Sequence, residues 1–145
     1  MASFIYNKAK KLFLDGTLNW PGQTYKAMLV TTGYAASADH DFVSSAVGGE
    51  LSGTGYVGGF AGAGRKTLTS KVVTESDADD RAYIDCDDIQ WVGINAGTIH
   101  AVVVIQEVTS NADSRLIAFL ELTADQPTNG GDVTIVIPTN GWGYI

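Results

Sequence analysis

The chain has 145 residues, the usual size of one domain, with a net charge of −7 and an isoelectric point near 4.5. An acidic surface repels nucleic acid and anionic lipid, so neither direct DNA binding nor a membrane surface is expected, and no run approaches the ~18 apolar residues of a membrane-spanning helix. The single cysteine, Cys86, has no partner for an internal disulfide.

Only 17% of residues are charged, below the roughly 25% of ordinary soluble domains. Gly, Ala, Ser and Thr fill the gap. Such a surface is suited to being covered by partners. A chain this long can bury roughly 70% of its unfolded surface, so no metal or disulfide is needed to hold its core.

Residues 3–14, SFIYNKAKKLFL, read as an amphipathic helix. Ile5, Ala9, Leu12 and Phe13 form its apolar face, with Ser3 as cap and Gly16 as terminator. Its lysines precede no apolar run and no small-residue cleavage site, so a secretory signal is not expected. Strands are then expected over 24–32, 65–74, 80–86, 89–94, 98–108, 115–122 and 132–138, with a short edge strand from GWGYI at 141–145. The 98–108 segment is apolar on both faces near its middle, the mark of a strand covered on two sides. Turn residues at 95–97, 111–114, 129–131 and 140–141 separate the later strands. The predicted architecture is mainly β: a single antiparallel sandwich or barrel-like domain of seven to eight strands, with one N-terminal helix.

The stretch 33–64 is long and nearly strandless. Its GTGYVGGFAGAGRKT (53–67) imitates a nucleotide-binding loop. A dinucleotide loop must follow a strand and open a helix, whose N-terminus holds the pyrophosphate. Here a strand pattern follows instead, and Arg65 stands between the last glycine and Lys66, breaking the phosphate-loop spacing. The glycines are therefore expected to serve tight folding and close backbone approach, and no nucleotide cofactor is expected. With few apolar anchors, residues 48–64 are expected to be mobile alone and ordered on a partner.

The acidic run ESDADDRAYIDCDD (75–88) fails as a calcium loop, because Arg81 and Ala82 stand where an oxygen ligand and glycine are required. A solvated hairpin tip is expected; an irregular site at Asp77, Asp79 and Asp80 is the alternative. His40 and His100 have no local co-ligands, so no metal site is expected. His100 lies in a strand that reads as buried. Cys86 sits among acids that dull its nucleophilicity, and no catalytic set is visible. Trp91 reads as core. Trp20 adjoins a Pro-Gly turn, and Trp142 ends the chain with Tyr144 and Ile145. This aromatic tail is expected either to tuck onto its own sheet or to face a neighbour.

In pattern and order the chain resembles small virion structural proteins of tailed double-stranded DNA bacteriophages. The resemblance runs through LNW…TYKAMLVTTGY (18–34), HDF (40–42), GELSGTGYVGG (49–59), DCDDIQW (85–91), AVVVIQ (101–106), SRLIAFLEL (114–122) and NGGDVTIVI (129–137). It covers most of the chain, and ELSGTGY followed by DDIQW is its most specific part. The chain departs from the pattern in extra glycines at 62 and 64. The resemblance implies a head decoration (cement) protein, made in the bacterial cytoplasm and carried on the capsid surface. Its partners would be the major capsid protein and further copies of itself, as trimers before dimers. A tail, neck or fibre-associated role is the alternative, and a carbohydrate-binding module using Trp20 and Trp142 a second one. The interface residues expected on this reading are Ile5, Leu12, Phe13, Tyr56, Phe60, Trp142, Tyr144 and Ile145.

Overall fold

A computed structural model describes residues 3–145. The fold is mainly β and antiparallel throughout, with one α-helix. The described residues form ten strands: β1 (Ser3–Ile5), β2 (Lys26–Val30), β3 (Lys66–Thr67), β4 (Val72–Ser76), β5 (Arg81–Asp85), β6 (Ile89–Trp91), β7 (Thr98–Gln106), β8 (Arg115–Pro127), β9 (Val133–Ile135) and β10 (Gly143–Tyr144). The helix α1 spans Asn7–Leu14. Five strands form one sheet in the order β1-β8-β7-β2-β3, three form a second as β10-β5-β4, and β6 pairs with β9. The sheets stay open rather than closing into a barrel, and one hydrophobic core runs through all three.

β7 and β8 are the spine. Val102, Val103, Val104 and Ile105 are fully buried, as are Leu116, Ile117 and Ala118. Both faces of β7 are therefore covered, as its doubly apolar sequence predicts. Between the pairs Ile99↔Gln126 and Ala101↔Glu121 the register jumps. Four residues of β8 bulge there against one of β7, which bends the strand end. His100 sits at this irregularity, half-exposed rather than buried, and its Nδ1 meets Asp125 at 2.7 Å.

The N-terminus corrects the sequence reading. Residues 3–5 are a strand, and the helix begins only at Asn7. Phe4 and Ile5 suit either state, but β8 offers an unpaired edge. β1 takes it through Phe4↔Phe119, whose rings stack 5.2 Å apart, and the Tyr6 N–H continues the ladder to the Ile117 carbonyl. Ser3 does not cap the helix; its hydroxyl donates to the Trp142 carbonyl at 2.7 Å. The expected strand 65–74 is also divided. Ser70 adopts a left-handed φ of 52° and separates β3 from β4. β4 and β5 form a hairpin whose acidic tip is a tight turn: Asp79 accepts from Tyr83 Oη at 2.8 Å and Ser76 Oγ at 3.0 Å. The tail does form an edge strand, β10, paired with β5.

Candidate interaction surface

The long 33–64 stretch is built around a buried arginine. Arg65 is 3% exposed, and a guanidinium at that depth must be matched by charge and by hydrogen bonds. Glu50 takes it in a bidentate grip, with Nε–Oε1 and Nη2–Oε2 both 2.8 Å. Nη1 donates to Glu107 Oε1 at 3.0 Å and to Asn111 Oδ1 at 2.9 Å. Lys26 closes the group on Glu107 Oε2 at 2.6 Å. Two cations thus meet two carboxylates, and the cluster is neutral. Burial alone would lower the Arg65 pKa, but Glu50 and Glu107 outweigh it and raise it. Burial likewise pushes the Glu107 carboxyl up, but Lys26, the Ala61 N–H and Arg65 hold it below the usual carboxylate range.

The same carboxylates grip the loop backbone. The Gly59 N–H donates to Glu50 Oε2 at 3.1 Å, and the Ala61 N–H to Glu107 Oε1 at 2.9 Å. Tyr56 is fully buried beneath, accepting from the Leu29 N–H and donating to Glu50 Oε1. The extra glycines have a steric cause. A Cβ on Gly64 would stand 2.8 Å from the Tyr56 ring, and one on Gly62 would stand 2.4 Å from the Val57 carbonyl. The backbone lies flat on the tyrosine, and Trp91 fixes it by donating from Nε1 to the Gly64 carbonyl at 2.7 Å. The ELSGTGY and DDIQW segments therefore meet at one place. The loop carries Val57 and Phe60 to the surface, 64% and 40% exposed.

This geometry removes the reason for expecting residues 48–64 to be mobile. The anchors are polar and lie at 50, 65 and 107, where no apolar pattern marks them. Backbone amides of Gly59, Ala61 and Gly64 should exchange slowly in the free protein, since each has an internal acceptor. Exchange at the unstructured rate in the isolated protein would show that the clamp does not hold the loop.

The other expected interface residues divide by burial. Ile5, Tyr56 and Trp142 are at most 1% exposed, so they are spent in the chain's own core. Leu12 and Phe13 pack against that core and are partly buried. Phe60, Tyr144 and Ile145 remain at the surface. Trp20 and Trp142 are both buried, so neither offers an aromatic platform to a sugar. Trp20 Nε1 donates to the Asp85 carbonyl, and Trp142 Nε1 to Cys86 Sγ. Burial pushes the Cys86 thiol up to about 11, against the pull of Trp142 and with help from Asp85 and Asp87. An apolar cleft of about 390 Å³ lies between the Trp20–Pro21 corner and the β4–β5 hairpin, with Phe13, Val73 and Ile145 on its walls. Sequence reasoning missed Arg65 as a site residue. The one available signal was an arginine at the end of a glycine run in a chain poor in charge.

No family model matches the chain, and no curated protein or solved structure is significantly similar to it.

Proposed function

We propose that this protein is a non-enzymatic structural component of a tailed double-stranded DNA phage particle, a decoration protein that binds the major capsid protein shell. The reading joins the sequence resemblance to one structural observation. The two most specific segments of the resemblance converge on a clamped loop that presents Val57 and Phe60 to solvent. Apolar side chains on a rigid mount dock with little ordering cost, and many equivalent sites on a shell would add their small contributions.

Copy number tests the reading. In purified particles the band of this protein, scaled to the capsid protein, should indicate a shell-wide population. A population fit for a single ring would place it at the neck or tail instead, and absence from particles would overturn the proposal. Val57→Asp with Phe60→Asp should weaken particle binding by roughly tenfold or more while leaving the melting curve unchanged. Normal occupancy by that variant would remove the loop as the docking element.

A further inference from the structure

We propose that β4 is a self-pairing edge, through which two copies join antiparallel about a two-fold axis at Val73. β4 is hydrogen-bonded to β5 on one side only, so alternate N–H and C=O groups along its other side face solvent. The other edge strands among the described residues are shorter: β1, β6 and β9 have three residues each, while β3 and β10 have two each. β4 is regular over five residues, and Val72 and Val73 are 47% and 56% exposed on opposite faces of it. A strand edge of this kind is completed by another strand.

The sequence of the edge selects a second copy. In an isologous antiparallel pair each residue faces its mirror across the axis. With Val73 at the centre, Val73 meets Val73, Val72 meets Thr74, and Lys71 meets Glu75 twice over. Residues 71, 73 and 75 alternate onto one face, so the two ion pairs flank the valine pair. Neither Lys71 nor Glu75 enters an ion pair within the chain among the described residues. A one-residue slip would set Val72 against Glu75 and Lys71 against Ser76, so the charges specify the register. The product is a six-stranded sheet, β10-β5-β4-β4-β5-β10, shared by two copies. Its axis is two-fold, where the phage resemblance implies a three-fold arrangement. This surface depends on the strand alone and is the same whether or not the protein belongs to a particle.

Sedimentation equilibrium on the full chain tests this. The wild type should dimerise. Lys71→Glu and Glu75→Lys should each weaken the dimer by about tenfold, since each replaces two opposed pairs by two like-charge contacts. The combined Lys71→Glu/Glu75→Lys variant should restore it, which no folding defect would do. Cβ atoms of opposed residues lie about 4.5–5.5 Å apart, near the reach of a disulfide. Val73→Cys should therefore cross-link to itself on mild oxidation, and Val72→Cys, which faces Thr74, should not. A wild type that stays monomeric to millimolar concentration would overturn the proposal. So would an oligomer indifferent to the charge reversals, equal cross-linking by both cysteine variants, or an edge that pairs only with capsid protein.

Discussion

Arg65→Met should destabilise the protein by about 3–5 kcal/mol, the cost of breaking a buried ion pair from one side. The Glu50 and Glu107 side chains that face the guanidinium are 5% and 10% exposed. Methionine keeps much of the volume but leaves two desolvated carboxylates facing an apolar group. For a chain of this size the loss corresponds to a fall in melting temperature of roughly 10 °C or more. Arg65→Lys should fall between the two, because an ammonium keeps the charge and loses the bidentate fork. The backbone amides of Gly59 and Ala61 should lose their exchange protection in Arg65→Met before the central strands do. A loss below about 1 kcal/mol would show that solvent reaches the cluster and that the loop is held by other contacts.

The same cluster ties stability to pH. Glu107 is held below the usual carboxylate range in the folded state. A depressed carboxylate contributes its full stabilisation above its unfolded value, about 4.3. That contribution is lost as pH falls through the lower folded value. The wild type should therefore lose stability on acidification in that window. Arg65→Met removes one of the groups that depress Glu107, so its acid limb should be flatter. An identical slope in both proteins would assign the acid sensitivity elsewhere.

The parts of the fold that were legible in the sequence are those fixed by local pattern. The doubly apolar run at 98–108 contains the buried β7, and the acidic run at 75–88 contains the tip of the β4–β5 hairpin at 77–80. The failures have a common cause in long-range competition. Ile5 fits the helix face of Ala9, Leu12 and Phe13 by spacing, but the free edge of β8 draws it into a strand together with Phe4. The 65–74 run alternates as one strand, but Ser70 turns left-handed and divides it. The clamp was least visible of all. Its members at 26, 50, 65, 107 and 111 come from β2, the long loop and the β7–β8 turn, and no spacing rule links them. The glycines were legible as close-approach residues, but what they approach, the Tyr56 ring for Gly64 and the Val57 carbonyl for Gly62, is not.

Deleting residues 141–145 should cost the protein its cooperative melt, or lower its stability by at least about 3 kcal/mol. Trp142 is fully buried, and truncating such a side chain to alanine costs about 3–5 kcal/mol. The tail also supplies main-chain bonds. The Trp142 N–H donates to the Ile84 carbonyl at 2.9 Å, the Ile145 N–H to the Ala82 carbonyl at 3.3 Å, and the Trp142 carbonyl receives Ser3 Oγ. Without β10 the three-stranded sheet shrinks to a hairpin, and a lone hairpin is marginal in water. The point variants separate core from surface. Trp142→Ala should carry most of the loss. Tyr144→Ala should cost no more than about 1 kcal/mol, since the residue is 44% exposed and its ring meets the Arg81 guanidinium at 3.8 Å and the Tyr83 ring edge-on at 6.3 Å. The tail therefore serves the fold through Trp142 and keeps Tyr144 and Ile145 for the outside. A truncated protein that melts within about 1 kcal/mol of the full chain would reverse that assignment and return the whole tail to the surface.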